Sequence, residues 1–261
     1  MDLSQFPPPA LAGLTEVEPL TNPVIISDLH LSPTKPKTIM AFVRFMKQVA
    51  PRYPELVILG DLFDFWLGDD AHPEAQPVTA LLKLHAATGR RVLIMPGNRD
   101  VVLGAGFAQS IGAELLHDPI VVEIKGRRVL LAHGDQWCLR DEGYQKLRRI
   151  THDPDWQRMM LAKSVAERLA VAKEARERSE TEKKEKTMLE MDVVEGVVAE
   201  AAKEAGVDLV IHGHTHRPAA HIFDGYERWV IPDWKLDGVE GAGRSGCITF
   251  LDSGRAQIQM F

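Results

Sequence analysis

The stretch Leu56-Val57-Ile58-Leu59-Gly60-Asp61 decides the fold of this chain. Its first four residues are apolar and partly β-branched, which predicts a buried strand, and the glycine ends that strand just before a carboxylate. An earlier apolar run, Val24-Ile25-Ile26, and helical spacing over residues 37–50 complete a strand–helix–strand unit. Because the two strands of such a unit are parallel, Asp28 and Asp61 are expected at the same edge of one sheet.

The pattern of an apolar run followed by metal-ligating side chains recurs along the chain. It is seen at Asp28-Leu29-His30, Gly97-Asn98-Arg99-Asp100, His133-Gly134-Asp135 and His212-Gly213-His214-Thr215-His216. A lone histidine is more often structural, and an aspartate after glycine is often part of a turn, so the prediction depends on the five stretches together. Active sites of open α/β sheets form at such strand ends. The predicted metal ligands are Asp28, His30, Asp61, Asn98, His133, His214 and His216.

Two cations a few ångströms apart need an anionic ligand between them, and we expect Asp61 to be that shared carboxylate. In the Asp-x-His and His-x-His segments, residues i and i+2 lie on the same side of an extended backbone and can reach one ion. The residue types leave the metal open among Mn, Fe and Zn.

Composition narrows the classes of protein. The chain has 261 residues, 45% of them hydrophobic, which fits one large domain or one domain with an inserted cap. The formal charge is −6, without the overall excess of basic residues that is typical of nucleic-acid-binding proteins, so no nucleic-acid partner is expected. Two cysteines in unrelated contexts predict neither a disulfide framework nor a cysteine metal cluster and favour the cytoplasm. The N-terminal segment does not resemble an export signal. No run of apolar residues approaches the 18 that a membrane-spanning helix needs, so neither export nor a membrane span is expected.

The chain divides into three predicted parts: a proline-rich, loosely held extension at 1–22, a core at 23–140 and 206–261, and a helical insertion, the lid, at 141–205. The lid has helix-type residues and almost no strand signal. Its segment 163–190 holds eight basic and seven acidic residues, which predicts a solvated helical face with ion pairs. Alternating segments near 220–223, 228–231, 247–251 and 256–260 predict a second, more antiparallel sheet.

In their order along the chain, the motifs resemble those of the calcineurin-like metallophosphoesterase superfamily: Asp-x-His, Gly-Asp, Gly-Asn-His, a later His, and Gly-His-x-His, over about residues 24–220. One departure is informative, since Arg99 stands where the superfamily has histidine. Through this arginine, the stretch 60–70 and the segment 141–145, the chain resembles the UDP-2,3-diacylglucosamine diphosphatases of lipid A synthesis. That resemblance spans most of the chain and implies a four-layer α-β-β-α fold with an inserted helical lid.

The resemblance also implies a reaction. Members of that family hydrolyse the diphosphate of UDP-2,3-diacylglucosamine at the uridine-side phosphorus, giving UMP and 2,3-diacylglucosamine 1-phosphate, with two divalent metal ions that are usually manganese. The residues favour such chemistry independently, because a metal pair activates water and neutralises phosphoryl charge without a side-chain nucleophile. A lipid-linked substrate implies a cytoplasmic protein that is peripheral on the inner membrane. No obligate protein partner is evident.

The resemblance assigns roles to individual residues. Arg99 carries a permanent charge on a planar fork that suits phosphate oxygens, so we expect it in catalysis and substrate binding with Asn98 and His214. The alternative for Arg99 is a structural salt bridge with Asp100. The family's lid contacts to substrate fall by spacing on Asp141, Ser179, Lys183 and Lys186, although Lys183 replaces the family's common asparagine.

Two alternatives remain for the function and one for the lid. The chain could be another dimetal phosphoesterase, such as a dinucleoside polyphosphate or cyclic nucleotide hydrolase, or a non-catalytic interaction module on the same fold. The apolar lid residues could line a trough for acyl chains or could pack the lid on the body. These residues are Trp156, Met159, Met160, Val165 and Leu169.

Overall fold

The computed structural model describes residues 14–71, 75–185, 187, 189–239, 241 and 243–261, and for residues 177–185 it describes the backbone only. The strands in this part of the chain are β1 (Thr15–Leu20), β2 (Pro23–Ile26), β3 (Glu55–Leu59), β4 (Arg91–Met95), β5 (Glu114–Leu115), β6 (Ile120–Ile124), β7 (Arg127–Ala132), β8 (Leu209–His212), β9 (Ala219–Phe223), β10 (Tyr226–Val230), β11 (Gly246–Phe250) and β12 (Ala256–Met260). The α-helices are α1 (Pro36–Gln48), α2 (Gln76–Ala87), α3 (Ala105–Ile111), α4 (Glu142–Thr151), α5 (Pro154–Leu161), α6 (Val165–Glu185) and α7 (Glu195–Ala205).

The strands form two six-stranded sheets. The first sheet has the order β12-β11-β2-β3-β4-β5 and the second the order β1-β6-β7-β8-β10-β9. Strands β2 and β3 are parallel, with Val24 opposite Leu56, which confirms the predicted strand–helix–strand unit around α1. Every residue of β3 is buried because both faces of the sheet are covered, as is usual for parallel sheets.

The two sheets pack face to face between two layers of helices. Side chains of both sheets share the central core, for example Ile25 and Val57 of the first with Ile211 of the second. Helices α1, α2 and α3 cover the outer face of the first sheet. Helix α7 covers the second sheet, where Val198 contacts the core beside Val210. The predicted four-layer α-β-β-α fold is therefore confirmed.

The predicted extension at 1–22 differs from the structure in its described part. Residues Thr15–Leu20 form strand β1, which pairs in parallel with β6, and Leu20 is buried. The buried Glu55 carboxylate then accepts hydrogen bonds from the backbone N–H groups of Thr21 and Asn22. Residues 1–13 lie outside the described part of the chain. The residue pattern at 15–20 does not indicate a strand, because an exposed edge strand is held by backbone pairing and contains few apolar residues.

A second sheet is present as predicted, but two of the four C-terminal segments do not join it, and it is no more antiparallel than the first. Strands β9 and β10 extend the second sheet, whereas β11 and β12 extend the first. All four segments alternate in a similar way, and which sheet each joins is decided by pairing with distant strands.

The helical segment also divides between body and lid. Helix α7 lies within the predicted lid at 141–205 but packs on the second sheet, so the described helices of this segment that stand outside the four layers are α4, α5 and α6. We keep the word lid for these three helices. No helix in the described ranges is both long and apolar enough to cross a membrane.

Candidate metal centre

The seven predicted metal ligands converge from the carboxyl ends of five strands. Asp28 and His30 follow β2, Asp61 follows β3, Asn98 follows β4, His133 follows β7, and the two C-terminal histidines follow β8. The first three strands belong to one sheet and the last two to the other. The ligands therefore meet where the edges of two packed sheets come together, and not along one open sheet.

The backbone of these ligands is strained. Six non-glycine residues in the described ranges have a positive φ, and five of them are predicted metal ligands. Such a conformation is uncommon for residues with a side chain, costs about 1 to 3 kcal/mol each, and gathers at functional sites. The five are Asp28 (55°), His30 (49°), Asp61 (54°), His214 (64°) and His216 (55°).

Two glycines let the ligand loops approach closely. A Cβ on Gly97 would lie 2.4 Å from Asp61 Oδ1, and one on Gly213 would lie 2.2 Å from Ser27 Oγ. Neither distance is tolerable for a methyl group. Glycine is therefore required at both positions for the loops to bring their ligands together.

Asp28, His30 and His216 form a first group of candidate ligands, with one ligand atom from each lying within 4.8 Å of the others. His30 Nε2 lies 3.2 Å from His216 Nε2, and the latter lies 3.3 Å from Asp28 Oδ1. Asp28 Oδ1 and His30 Nδ1 are buried and have no hydrogen-bond partner in the described part of the chain. Buried polar atoms without partners are costly, so convergent lone pairs of this kind fit a divalent cation.

Asp28, Asp61 and His133 form a second group. Asp61 lies between the groups: its Oδ2 is 3.7 Å from His30 Nδ1 and its Oδ1 is 3.7 Å from His133 Nε2. Asp28 belongs to both groups, so two carboxylates are placed to be shared. The assignment of the shared ligand to Asp61 stays a prediction.

Asn98 and His214 adjoin this second group. Asn98 Oδ1 lies 3.1 Å from His133 Nε2 and 3.0 Å from His214 Nδ1. His133 Nδ1 lies 3.0 Å from the carbonyl oxygen of Leu59. If His133 Nδ1 carries the proton and donates it to that carbonyl, its Nε2 is left free to bind a metal ion.

Arg99 is tied to the same loops by its backbone. Its N–H donates to Asp61 Oδ1 at 2.8 Å, and its side chain is half-buried. Asp100 is fully buried and accepts from the backbone N–H groups of Asp61, Phe63 and Gly97 at 3.2, 3.2 and 2.7 Å. Asp100 thus has a structural role in joining two ligand loops. The role of the Arg99 guanidinium in catalysis stays a prediction.

Burial and neighbouring charges shift the pKa values of the candidate ligands in opposite directions. Burial raises the pKa of the Asp61 carboxyl to about 7, although nearby His133 opposes the shift. Burial would likewise raise the pKa of Asp28, but its interactions with His216, His133 and His30 together outweigh burial and hold this pKa well below its usual range. Burial would lower the pKa of His133, yet the charges of Asp61 and Asp28 raise it to about 10. Without a cation the group therefore retains protons, which a bound metal ion would displace.

Of the predicted lid contacts, Asp141 is the one whose side chain the structure describes. It caps α4 by accepting from the backbone N–H of Tyr144 at 2.9 Å, and the Tyr144 ring lies 5.6 Å from that of His214. Asp141 is therefore on the segment that borders the metal centre. Ser179 and Lys183 lie on α6 where only the backbone is described, and Lys186 lies outside the described residues. Their contacts stay predictions.

The apolar lid residues are divided between the two alternatives. Met160 is buried, in line with packing, whereas Met159 and Val165 are exposed. Trp156 and Leu169 are half-buried.

Several residues that join the lid to the body were missed. Asp135 accepts hydrogen bonds from the Tyr144 hydroxyl and from Arg148 Nε. Arg168 on α6 donates to both carboxylate oxygens of Asp70, each at 2.7 Å. Asp135 could have been found, because it is the acid in a motif that contributes His133. The Arg168–Asp70 pair could not, since 98 positions separate its partners in the sequence.

A further ion pair and a carbonyl contact complete this attachment. Arg176 pairs with Asp64, which also accepts from Lys35 Nζ at 3.1 Å. Arg168 Nη1 also donates to the carbonyl oxygen of Leu67 at 2.7 Å. The loop after β3 therefore carries both the candidate ligand Asp61 and the residues to which the lid is attached.

Comparison with known proteins agrees with this geometry. The family model described as calcineurin-like phosphoesterase matches residues 22–218. A protein of Bordetella pertussis named UDP-2,3-diacylglucosamine hydrolase is 44% identical over 220 residues, which are 82% of this chain and 85% of that protein. A protein of Chromobacterium violaceum with the same name is 43% identical over 232 residues, covering 88% of this chain and 94% of that protein.

Among solved structures, one described as a novel archaeal phosphodiesterase is 14% identical, with a TM-score of 0.45 over 92% of this chain and 99% of that chain. The family model spans all the ligand loops, and the two relatives match 82% and 88% of the chain. The chain therefore belongs to the calcineurin-like phosphoesterase family, among the hydrolases whose members carry the name UDP-2,3-diacylglucosamine hydrolase.

Proposed function

We propose that this protein hydrolyses UDP-2,3-diacylglucosamine in lipid A biosynthesis. Water is added at the uridine-side phosphorus, and the products are UMP and 2,3-diacylglucosamine 1-phosphate. The name of the relatives supports the substrate, since they are 43–44% identical and are matched over most of their length. The presence of Arg99 in place of the superfamily's histidine supports it further.

One observation carries the chemistry: two overlapping groups of buried or half-buried ligands share Asp28, and Asp61 of the second group also lies 3.7 Å from His30 of the first. The mixture of carboxylates, imidazoles and one amide fits two divalent cations, for which we propose manganese. When bound, such cations supply Lewis-acid activation of water and of the phosphoryl group. No side-chain nucleophile is then required.

The residues beside the ligands would orient the diphosphate. The Arg99 guanidinium can hold two phosphate oxygens at once and offset the charge that develops on them. Burial lowers the pKa of His214 to about 3, so its imidazole is neutral near pH 7. Its Nδ1–H can then donate to Asn98 Oδ1, which leaves Nε2 available to accept a proton or to bind a cation.

We further propose that the protein acts as a peripheral enzyme on the cytoplasmic face of the inner membrane. The acyl chains of the proposed substrate lie in a bilayer, so the lid must approach its surface. Helix α4 has no buried residue and exposes Leu147 and Ile150 beside the exposed bases Lys146 and Arg149. Apolar and basic side chains on one surface helix favour binding to anionic lipid.

The test is hydrolysis in water enriched in oxygen-18, followed by phosphorus NMR of the products. Manganese-loaded protein should place the heavy oxygen in UMP, and a chelator should stop the reaction. Label in the sugar phosphate would contradict attack at the uridine-side phosphorus. Faster turnover of a dinucleoside polyphosphate or a cyclic nucleotide would favour another phosphoesterase, and metal binding without turnover of any of these compounds would favour the non-catalytic alternative.

A further inference from the structure

Two of the charged residues on the loop after β10, which belong to none of the recognised motifs, lie close to a candidate metal ligand. Asp233 is 2% exposed, and Arg244 lies at the other end of the same loop. Asp233 Oδ2 lies 3.3 Å from His216 Nδ1. A buried carboxylate therefore contacts the side of a candidate metal ligand that faces away from the metal centre.

The two ring nitrogens of His216 face different partners. Nε2 points into the first ligand group, 3.3 Å from Asp28 Oδ1 and 3.2 Å from His30 Nε2. Nδ1 faces Asp233. A metal-binding imidazole commonly donates its second N–H to a carboxylate, which sets the tautomer, orients the ring and makes the other nitrogen a better ligand. The geometry at His216 meets that requirement.

Arg244 closes the arrangement into a ring of contacts. Its Nε donates to Asp233 Oδ1 at 2.5 Å, and its Nη2 donates to the backbone carbonyl of His216 at 3.0 Å. Backbone hydrogen bonds of 2.8 and 3.0 Å between Arg244 and Lys235 hold the arginine in place. One guanidinium thus fixes both the carboxylate and the histidine that this carboxylate contacts.

The contact to the carbonyl of His216 also bears on backbone strain. His216 has a φ of 55°, a left-handed conformation that a histidine adopts only at a cost. A charged hydrogen bond to its carbonyl holds the peptide in that orientation. Arg244 therefore acts on the backbone of the ligand, whereas Asp233 acts on its ring.

We propose that Asp233 and Arg244 are a positioning pair that sets the tautomer and orientation of His216 and so raises the affinity of the first ligand group for a divalent cation. The proposal rests on the proposed function only in requiring that the protein binds metal. It differs from a purely structural role, in which Asp233 would serve only as the counter-charge of Arg244. A structural role would affect folding stability and leave metal affinity unchanged.

The decisive variant is Asp233→Asn, which keeps the shape and removes the charge. Metal affinity is measured on full-length protein by competition of Mn²⁺ with a chelator, and the ligand geometry is read from the visible absorption of bound Co²⁺. We expect affinity of the first site to fall about 10- to 100-fold and the Co²⁺ spectrum to change.

The matched control is Glu55→Gln. Glu55 is also a buried carboxylate that holds a neighbouring segment, through Thr21 and Asn22, but it lies at the opposite end of β3 from Asp61. We expect this variant to keep both the affinity and the spectrum of the unmodified protein, even where its stability is lower.

A second variant, Arg244→Lys, keeps the positive charge but cannot reach Asp233 and the carbonyl of His216 together. We expect a smaller loss of affinity than for Asp233→Asn, and this variant decides the question if Asp233→Asn does not fold. Unchanged Mn²⁺ affinity and an unchanged Co²⁺ spectrum in a folded variant would overturn the proposal. Failure of the unmodified protein to bind either metal would instead overturn the proposed function.

Discussion

The metal centre and the lid are held on the body in opposite ways. At the centre, Asp28, Asp61 and His133 are at most 2% exposed and follow strands of the packed sheets directly. In the lid, α4 has no buried residue, and Arg168 alone is buried among the described side chains of α6. Met160 on α5 is the one buried apolar side chain among the described side chains of the lid helices. The centre is therefore fixed by the core, whereas the lid is held mainly by contacts of charged side chains.

This difference separates two tasks. Elements with few buried apolar contacts open at low cost, while strand ends in a core open only with the whole domain. The body can therefore hold ligands within the narrow geometry that chemistry demands, and the lid can move to admit a large substrate. Damage to the body should abolish hydrolysis of every substrate, and damage to the lid should affect the acylated substrate selectively.

The largest expected effect comes from Asp61→Ala, which removes a carboxylate that faces both ligand groups. Hydrolysis should fall by about three orders of magnitude, since charge at the reacting phosphoryl group is no longer neutralised. Metal content, measured by elemental analysis, should fall in parallel. Hydrogen exchange of α4–α6 should be unchanged. Retention of two metal ions and of the rate would show that Asp61 is not the shared ligand.

A smaller effect is expected from Arg99→His, which restores the residue of the wider superfamily. The imidazole is shorter and mostly neutral near pH 7, so kcat/KM on the lipid diphosphate should fall about 100-fold. Arg99→Lys keeps the charge without the planar fork and should lose less. Both variants should keep their metal ions. An undiminished kcat/KM in Arg99→His would remove the assigned role.

The attachment of the lid is tested by Arg168→Met. Methionine keeps an unbranched apolar side chain but cannot make the hydrogen bonds to Asp70 and Leu67. The free energy of opening α6 should fall by only about 1 to 2 kcal/mol, because Asp70 is exposed and its carboxylate can be rehydrated. Hydrogen exchange in α6 should rise accordingly. Turnover of the diacylated substrate should fall about tenfold, with little change for a chromogenic diester.

The matched control for that variant is Arg158→Met, on α5. Arg158 is 78% exposed and pairs with Asp155 at the surface, so its removal should change stability by less than about 1 kcal/mol. Equal losses on acylated and unacylated substrates in Arg168→Met would show that the lid has no selective role.

The smallest effect concerns the metal-free protein and pH. The pKa of Asp61 is about 7 in the folded state against an ordinary 3.8, so the folded state binds more protons between these values. Its contribution to stability therefore falls as pH rises from about 4 to 7 and is constant above that range. In urea unfolding with a chelator present, Asp61→Asn should gain stability relative to the unmodified protein across this window. If the free energies of unfolding of the two proteins changed with pH in the same way, the raised pKa of Asp61 would be contradicted.

Much of the centre could be predicted because its signals are local. An apolar run that stops at glycine and delivers an aspartate, as at Asp61, is visible within six residues, and the parallel pairing of β2 with β3 follows from the helix between them. The strand β1 and the assignment of β11 to the first sheet could not be predicted in this way. Their patterns are compatible with several partners, and the partner is chosen by packing of the whole domain.

The amino-acid sequence determined which ligand types are present, their order along the chain, and the replacement of a histidine by Arg99. The tertiary structure decided that ligands from two sheets meet, that Asp233 supports His216, and that Arg168 docks the lid on Asp70. The physical reason is that local patterning reports which face of an element is buried. Hydrogen bonds between residues far apart in the chain depend on where the packed layers bring their ends together.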